Sequence, residues 1–421
     1  MKEYTLPYGK SHLTFALPDE LSVDLLMPQI ITPEQDIDRV IIQALENPLG
    51  QKNLSRFRKD STIGIAINDK TRPLPQPNPL NHLLRHLDNL GFARDNITIF
   101  IGSGTHLPMQ ADELPVIFDD WVIAHYHIVP HDCDHSPMVD LGKTSHKTPV
   151  RINQAFANCD IKITVGNIEP HHFMGYSGGV KTAAIGLAGR DTINANHAML
   201  TRENTRTGLY HVNPMRQDIE EIGERIGIQF CLGTVINEQK EIIRVCFGEP
   251  KTVMLKVIPI IREMFNISVS EPYDLVIASP GGSPKDINLY QAQKGLTHAA
   301  RIAKDGGWVL LLAACPEGSG SQSYEDYVRS MPSHQDIIQH FKNGFFQVGP
   351  HKAYQIAKDA SRVKVILVSE IPPLKVQQWQ LTPSQPNKLD PLLDWIAHQL
   401  PAGARVALMP AATRTMTEVK K

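Results

Sequence analysis

Apolar runs of strand length alternate with stretches of helical periodicity along most of the chain, and this alternation restricts the fold more than any other feature. Residues 61–68, 97–101 and 161–166 have the composition of buried strands, whereas residues 80–90 carry apolar side chains at helical spacing. Parallel strands joined by crossover helices produce this pattern. The sequence therefore predicts an α/β fold with mainly parallel sheets.

The alternation restarts after a polar segment that ends at Pro272. A strand is predicted at residues 273–279, and helices and strands then follow each other as in a doubly wound sheet. The predicted elements are a helix at 288–304, a strand at 308–314, helices at 323–342 and 350–359, a strand at 363–368, a helix at 388–399 and a strand at 406–409. We predict two α/β domains, residues 1–270 and a Rossmann-like domain of residues 271–421. It stays open whether the last residues pack back on the first domain.

Composition excludes several classes of partner. The 421 residues hold 42 Lys+Arg and 44 Asp+Glu, a net charge of −2 that argues against nucleic acid. The longest apolar run, residues 308–315, is shorter than the roughly 18 residues of a membrane helix. The five cysteines are widely spaced, as in a reducing compartment. We expect a cytoplasmic protein that contacts neither nucleic acid nor membrane.

Polar clusters directly follow three of the predicted strands. They are Asp69-Lys70-Thr71-Arg72-Pro73, Gly102-Ser103-Gly104-Thr105-His106 and Asn167-Ile168-Glu169-Pro170-His171-His172. Ligands of open α/β sheets bind outside the carboxyl ends of the strands, so Asp69, Arg72, His106 and His171 are expected in one crevice. An arginine there suits a carboxylate, and two histidines suit proton transfer on either side of a substrate. The alternative is that these are turns with capping side chains and surface histidines.

Ser177-Gly178-Gly179 precedes a helical pattern and is a candidate phosphate cradle, because small residues let backbone N–H groups approach an anion. It is not a Walker A motif, since Val180 separates Gly179 from Lys181. Lys181 lies in apolar surroundings and is a candidate nucleophile with a lowered pKa. The alternatives, that it pairs with the phosphate or extends to solvent, are favoured by the sequence alone.

His197 lies sixteen residues after Lys181, about 24 Å along an unbroken helix. The two side chains can contact one small ligand only if the chain turns between them. Gly186 and Gly189, followed by a fresh helix start at Asp191, predict such a break.

Gln291 and Lys294 are spaced i, i+3 and share a helix face at the start of the second domain. Projected into an interdomain cleft, they are suited to hold a carboxylate from the side opposite Arg72. The alternative is solvated helix surface. Elsewhere, His125, His127, His131 and His135 invite a metal-site interpretation, but the intervening proline breaks regular ligand geometry, and surface or turn roles are favoured.

Taken together, these residues resemble the nickel-pincer lactate racemase family over nearly the whole chain. The motifs occur in the family's order: DxTRP at 69–73, GSGTH ending at His106, EPHxFxGYSGGxK from Glu169 to Lys181, TIxxNH ending at His197, and PKDxNLYQAxK from Pro284 to Lys294. The long block that ends in Lys181, followed by His197, is highly specific. Each of the other motifs alone is weak.

The resemblance implies a racemase or epimerase that inverts C2 of a lactate-like 2-hydroxy acid. It implies a nickel(II) pincer complex of a pyridinium-3-thioamide-5-thiocarboxylic acid mononucleotide, tethered to Lys181 with His197 as nickel ligand and made by cofactor-assembly enzymes. It further implies reversible hydride transfer, acid/base roles for His106 and His171, and an active site in the interdomain cleft. Residues 1–270 would be the catalytic and cofactor-binding domain. The substrate-side positions of the family fall on Asp69, Arg72, Tyr290, Gln291 and Lys294.

Three positions depart from the family pattern. Lys70 stands inside DxTRP, His172 follows His171, and serines occupy the segment 318–321 where some members have histidine. Extra positive charge near the pocket would favour a larger or dicarboxylic 2-hydroxy acid, such as a malate-like or sugar acid. A metal-dependent hydrolase or lyase, and a non-catalytic nickel-binding protein, are the other hypotheses. We expect a monomer or a small homo-oligomer.

Overall fold

The computed structural model describes residues 1–72, 74–75, 78–237 and 239–420. Pro73 of the first polar cluster and Lys421 of the second predicted domain therefore lie outside the described residues. The chain forms two compact units. We call Ile30–Glu263 the central unit, and Met1–Gln29 together with the chain from Met264 onward the terminal unit.

The strands of the described chain follow each other in this order: β1 (Lys2–Tyr8), β2 (Ser11–Leu17), β3 (Ser22–Leu25), β4 (Ile63–Asn68), β5 (Ile97–Gly102), β6 (His127–Pro130), β7 (Met138–Lys143), β8 (Pro149–Asn153), β9 (Ile161–Asn167), β10 (Pro170–His171), β11 (Gly175–Tyr176), β12 (Phe230–Ile236), β13 (Ile242–Gly248), β14 (Asn266–Val269), β15 (Tyr273–Ala278), β16 (Ala303–Leu312), β17 (Lys364–Val368), β18 (Thr382–Ser384), β19 (Arg405–Met409) and β20 (Met416–Val419).

The α-helices are α1 (Ile37–Glu46), α2 (Pro79–Asn89), α3 (Asp120–His125), α4 (Gln154–Ala157), α5 (Lys181–Ala184), α6 (Arg190–His197), α7 (Pro214–Ile226), α8 (Pro250–Phe265), α9 (Leu289–Ile302), α10 (Gln322–Ser330), α11 (His334–Lys342), α12 (His351–Ala360), α13 (Pro373–Gln378) and α14 (Leu389–Ala397). None of the helices among the described residues has the length and apolar character needed to cross a membrane.

The central unit contains a six-stranded sheet with the order β13-β12-β9-β4-β5-β6. All neighbouring pairs are parallel except β12 and β13. Strands β4, β5 and β9 are buried along nearly their whole length, as their mainly apolar sequences predict. Their isoleucines and valines pack with the leucines of α2 in one core.

The terminal unit contains a second six-stranded sheet, with the order β18-β17-β16-β15-β19-β3 and parallel pairing throughout. The chain runs outward from β15 to β18 and then returns to the other side of β15 with β19, as in doubly wound folds. The predicted fold class, two α/β domains with mainly parallel sheets, is confirmed.

The units differ from the predicted ranges at the N-terminus. The predicted boundary near residue 270 lies close to the division at Met264, but Met1–Gln29 is grouped with the C-terminal part of the chain. The reason is strand pairing: β3 extends the terminal sheet by pairing with β19. The last strand, β20, pairs with β14, and both strands belong to the terminal unit.

Two glycines bring the end of β5 against the segment that follows α5. A Cβ on Gly186 would overlap the carbonyl oxygen of Thr182 and lie 3.0 Å from Cα of Gly102. The N–H of Gly104 also donates to the carbonyl oxygen of Gly186 at 3.0 Å. No side chain fits between these backbones, so the loop after β5 is held against α5.

This contact predicts that Gly186→Ala destabilises the central unit. Because the new methyl group would clash with backbone atoms that cannot rotate away, we expect the free energy of unfolding to fall by about 1–3 kcal/mol. Chemical denaturation followed by circular dichroism measures it. Asn194→Ala, at an exposed position of α6, is the matched control and should change it by less than about 0.5 kcal/mol. An equal effect of the two substitutions would contradict the close contact.

Candidate active site

The three strands followed by polar clusters are neighbours in the sheet, as predicted. Strand β4 lies between β5 and β9 and is parallel to both, with Asn68 opposite Gly102 and Ile67 opposite Val165. Their carboxyl ends therefore meet at one edge of the sheet, and the segments that start with Asp69, Ser103 and Ile168 leave it side by side.

Asp69 and His106 form the most direct side-chain contact at this edge. Asp69 Oδ2 lies 2.7 Å from His106 Nδ1, and Oδ1 accepts hydrogen bonds from the backbone N–H and the hydroxyl of Thr71. Burial acts to raise the pKa of Asp69, but the hydrogen bonds from His106 and Thr71 outweigh it and hold the pKa below its ordinary value. Because the carboxylate only accepts, His106 Nδ1 carries a proton, and Nε2 of the neutral ring bears the lone pair.

The sequence predicts that Asp69 contacts the substrate, but its surroundings favour a different role. Asp69 is 4% exposed, and both of its carboxylate oxygens accept hydrogen bonds from protein donors. A carboxylate in this state orients the histidine next to it. His106 itself is exposed and is the member of the pair that can meet a ligand.

The other charged residues of the first cluster have separate roles. Arg72 is exposed, and its N–H donates to the carbonyl oxygen of Asp69, so the chain turns immediately after β4. Lys70 is also exposed, but its ammonium pairs with Glu113. This ion pair removes the basis for expecting extra positive charge at Lys70 to attract a second carboxylate.

Lys181 begins α5, a single helical turn of four residues. Burial lowers the pKa of Lys181 to about 7, and the positive charges of Arg72 and Arg216 act in the same direction, against the opposing effect of Glu169. Near pH 7 a large fraction of the Lys181 amine is therefore neutral, and the neutral amine is the nucleophilic form. The structure agrees with the lowered pKa, but the surroundings of Lys181 are not purely apolar, because Arg72, Arg216 and Glu169 lie close enough to act on the amine.

His197 ends α6, which starts at Arg190 after the chain has turned. The predicted break near Gly186 and Gly189 is confirmed. His197 Nδ1 lies 2.8 Å from the carbonyl oxygen of Ile193, so Nδ1 is protonated and Nε2 bears the lone pair. Burial lowers the pKa of His197 to about 4, and the nearby charge of Lys181 contributes to this shift.

An aromatic side chain that the sequence analysis did not single out connects two of the histidines. The ring of Phe173 lies edge-on to His171, with centroids 4.6 Å apart, and edge-on to His197 at 5.7 Å. His172 stacks on His171 at 4.8 Å. The backbone N–H of Met174 donates to His171 Nδ1 at 3.3 Å. His171 is thereby placed in the same cluster as His197.

The Ser177-Gly178-Gly179 loop is buried and is bonded within the protein through part of its backbone. The N–H of Ser177 donates to the carbonyl oxygen of Glu169, and the carbonyl oxygen of Gly178 accepts from the N–H of Lys181. Protein partners thus fix the backbone directly before Lys181. The assignment of this loop to a phosphate stays a prediction.

Arg216 stabilises the segment that precedes Lys181, and this role was not predicted from the sequence. Its guanidinium is fully buried, pairs with Glu220, and donates to the carbonyl oxygens of Tyr176 and Gly178. The i, i+4 spacing of Arg216 and Glu220 on α7 was the available signal. Such spacing usually marks surface pairs, so it did not indicate burial.

The remaining predicted site residues lie in the terminal unit. Tyr290, Gln291 and Lys294 are partly buried on the first turns of α9, and Lys294 Nζ donates to Gln291 Oε1 at 2.9 Å. The i, i+3 pair predicted from sequence is thus formed. The assignment of these residues to the substrate stays a prediction.

The histidines of residues 125–135 do not gather around a metal. His125, His127 and His135 are exposed, whereas His131 is buried and hydrogen-bonded to the carbonyl oxygen of Ala188. The surface or turn role expected of His131 is therefore wrong, because it is a core residue. Among the described residues, the potential ligand atoms that cluster here belong to Asp132, Cys133 and Asp134, and Asp134 pairs with Arg190.

Comparisons with known proteins agree with the fold and the motifs. The lactate racemase N-terminal domain family matches residues 8–208, and the lactate racemase C-terminal domain family matches residues 269–410. A lactate racemase from Thermoanaerobacterium thermosaccharolyticum is 31% identical over 347 residues, which cover 80% of each chain. A lactate racemase from Lactiplantibacillus plantarum is 30% identical over 326 residues, or 76% of each chain.

Solved structures extend the comparison over the whole chain. The structure of the lactate racemase apoprotein from Thermoanaerobacterium thermosaccharolyticum superimposes with a TM-score of 0.87 at 27% identity, covering both chains completely. A Thermotoga maritima protein shares the fold, with a TM-score of 0.62 at 16% identity over 91% of this chain and 97% of its own. The protein is thus an α/β isomerase of the racemase class. It belongs to the lactate racemase family.

The lowered pKa of Lys181 predicts unusual reactivity near neutral pH. In cofactor-free protein, acylation of Lys181 should rise with a midpoint near pH 7, because the neutral amine is the reacting form. Quantitative peptide mass spectrometry over pH 5–10 measures it, with the surface lysines of the same digest as control. Arg72→Ala removes a positive charge that lowers this pKa and should move the midpoint upward. A midpoint shared with the surface lysines would contradict the burial of the amine.

Proposed function

We propose that the protein racemises lactate or a close monocarboxylic 2-hydroxy acid, by reversible hydride transfer to a nickel-pincer nucleotide attached at Lys181, with His106 and His171 as acid/base groups. The observation that carries this proposal is the Asp69–His106 pair at the shared strand edge, because it prepares a base where the motifs require one. The 31% and 30% identical relatives are lactate racemases, which supports the choice of substrate.

The chemistry of two side chains fits the proposed cofactor. Lys181 offers an amine with a pKa of about 7, as covalent attachment through an amide-type bond requires. His197 has a pKa of about 4 and directs its protonated Nδ1 to Ile193, which leaves a neutral Nε2 donor of the kind that binds nickel. When bound, this group supplies the acceptor and donor of hydride, and the protein supplies orientation and proton transfer.

The Ser177-Gly178-Gly179 loop is proposed to hold Lys181 in place. The N–H of Ser177 donates to the carbonyl oxygen of Glu169, and Arg216 donates to the carbonyl oxygens of Tyr176 and Gly178. A contact between this loop and the phosphate of the mononucleotide stays part of the proposal.

His106 is the group prepared to remove a proton. Its Nδ1–H is fixed by Asp69, so Nε2 can accept the hydroxyl proton of the substrate, and Asp69 stabilises the imidazolium that results. His171 is held in the other tautomer, because its Nδ1 accepts the Met174 N–H and its Nε2 carries the proton of the neutral ring. The two rings thus differ in the direction of the hydrogen bond each can offer to a substrate oxygen.

This difference suits a reaction that must act on both faces of one carbon. One ring accepts the hydroxyl proton of the substrate and the other returns a proton to the product oxygen. For His171 to act as the acid, its ring must carry a second proton at Nδ1. We therefore expect its contact with Met174 to be given up when His171 is charged.

The substrate side is proposed to use Arg72, Gln291, Lys294 and Tyr290. Guanidinium and ammonium groups bind carboxylates, and the Gln291 amide oxygen, which accepts from Lys294, orders that amine. Since Lys70 is neutralised by Glu113, a monocarboxylic acid is favoured over a dicarboxylic one. We further propose a cytoplasmic location, in line with the free cysteines at 133, 159, 231, 246 and 315. Cofactor-assembly enzymes would supply the nickel-pincer nucleotide. The protein is proposed to be a monomer or a small homo-oligomer.

The function is tested with protein coexpressed with the cofactor-assembly enzymes. Enantiopure lactate should lose optical activity, and His106→Gln and His171→Gln should each lower kcat by about 10²–10⁴-fold while the mass increment on Lys181 remains. Chiral chromatography and intact-mass spectrometry are the measurements. His125→Gln, at an exposed histidine, is the control and should keep wild-type kcat. Normal racemisation by both histidine variants would refute the acid/base assignment.

Asp69→Asn tests how His106 is oriented. The amide can donate where the carboxylate accepts, which favours the wrong tautomer of His106, so kcat should fall by about 10²–10⁴-fold with attachment at Lys181 intact. Asp95→Asn, at an exposed position, is the control. Unchanged kcat in Asp69→Asn would remove Asp69 from the mechanism.

The same substitution has a pH-dependent effect on stability. The folded-state pKa of Asp69 is lowered, so its ionised form contributes stability above the unfolded pKa, and this contribution is lost as the pH falls through the folded pKa. The difference in unfolding free energy between wild type and Asp69→Asn should therefore be largest near pH 7 and shrink below about pH 4. Denaturant titrations at several pH values measure it, and a difference that grows on acidification would contradict the sign.

A further inference from the structure

A polar stripe runs along the side of α9 that packs against α12. Tyr290, Gln293, Lys294 and Thr297 are spaced i, i+3, i+4 and i+7, so they share one face of the helix. Gln293 is 1% exposed, and the ring of Tyr290 meets His351 of α12 edge-on with centroids 5.8 Å apart. Polar side chains thus occupy a helix interface that apolar residues usually fill.

Lys352 of α12 lies in the middle of this interface and is 2% exposed. Its ammonium donates to Gln293 Oε1 at 3.0 Å and lies 4.9 Å from the centroid of the Tyr290 ring. The hydrogen bonds continue from Gln293 Nε2 to Thr297 at 2.7 Å and from the Thr297 hydroxyl to Asp359 at 2.6 Å. One chain of hydrogen bonds, buried at Lys352 and Gln293 and partly buried from Thr297 onward, therefore connects the two helices.

Burial of this amine is costly for the fold. Burial lowers the pKa of Lys352 well below its ordinary value, and the like charge of Lys294 lowers it further. A methionine of similar length would fill the same space without that cost, and such replacements of buried polar groups are often neutral or stabilising. Stability alone thus gives no reason for a lysine here, whereas its contacts all lie on the face that carries Tyr290 and Lys294.

We propose that Lys352 is a positioning residue for substrate binding: it holds the Tyr290 ring and the Gln293 amide so that Lys294 is placed to bind the carboxylate of a 2-hydroxy acid. The charge of Lys294 disfavours the charged form of Lys352, and an anion at Lys294 offsets that effect, so carboxylate binding and the charged form of Lys352 favour each other. The inference rests on the proposed function, since it takes Tyr290 and Lys294 as substrate residues.

Lys352→Met in the cofactor-loaded enzyme is the test. We expect KM for lactate to rise by about tenfold, with kcat within about twofold of wild type, because binding is weakened and the reacting groups are untouched. The melting temperature should be unchanged or higher. Lys358→Met, at an exposed position of the same helix, is the matched control and should leave KM unchanged.

Two inhibitors distinguish a positioning role of Lys352 from a general structural disturbance of the terminal unit. The inhibition constant of propionate, which has the carboxylate without the hydroxyl group, should rise with KM in Lys352→Met, whereas that of lactamide, which lacks the charge, should not. A variant that weakens both inhibitors equally would point to a structural role and overturn the proposal.

Gln293→Met removes the hydrogen-bond acceptor of Lys352 from the other helix and is measured in parallel. Wild-type KM in either folded variant overturns the proposal, and failure of both variants to fold does so as well, because Lys352 would then be structural. If wild-type enzyme racemises no 2-hydroxy acid, the proposed function fails instead. If wild type and Lys358→Met are active and Lys352→Met is indistinguishable from them, only the present inference fails.

Discussion

The close approach of α5 to the ends of β5 and β9 is the constraint on which the site depends. A Cβ on Gly102 would lie 2.8 Å from the Thr182 carbonyl oxygen, and one on Gly166 would lie 3.3 Å from the Thr182 hydroxyl. Because β5 ends at Gly102 and Gly166 is the next-to-last residue of β9, a one-turn helix can lie directly on the sheet edge. The helix that begins with Lys181 is thereby placed at the strand ends that precede His106 and His171.

The electrostatics of the central unit follow from this packing. Burial disfavours the charged form of a base, and it lowers the pKa of both Lys181 and His197. Both groups are therefore available as neutral donors, one for a covalent bond and one for a metal. For Asp69 the effect of burial on the pKa is outweighed by hydrogen bonds to the charged carboxylate, so the charged form is favoured. The central unit thus holds two neutral bases and an ionised carboxylate. The contacts of each side chain decide which form is favoured.

The sequence was sufficient for those parts of the fold and site that depend on local patterns. Buried strands such as β4 and β5 have mainly apolar sequences, and the polar residues that follow them mark the strand ends. The grouping of the first 29 residues was not predictable, because β3 pairs with β19, and no short-range pattern reports a pairing across the length of the chain. Local motifs locate chemistry well but do not say which distant segment completes a sheet.

The roles of individual side chains were less predictable for the same reason. Asp69 was expected to contact substrate, but its partners are Thr71 and His106, and only the fold shows that both of its oxygens accept hydrogen bonds from protein donors. The three residues before Val180 have the composition of a phosphate loop, and that composition says nothing about which acceptors their N–H groups meet. Small residues permit a close approach of backbone to an anion, but they permit a close approach of backbone to protein equally well.

Buried basic side chains are the feature that is hardest to predict from composition. Arg216 and Lys352 are each at most 2% exposed, and each donates to an acceptor of another element: Arg216 to carbonyl oxygens of the loop before Lys181, and Lys352 to the amide oxygen of Gln293. Since a buried polar group without a partner is destabilising, each basic side chain favours the arrangement that keeps its acceptors in place. Arg216 is bonded to the segment that carries the proposed cofactor lysine, and Lys352 is bonded to the helix that carries the proposed carboxylate-binding lysine. In each unit, a buried basic side chain with no proposed part in the chemistry thus fixes the backbone or side chains next to a residue that has one.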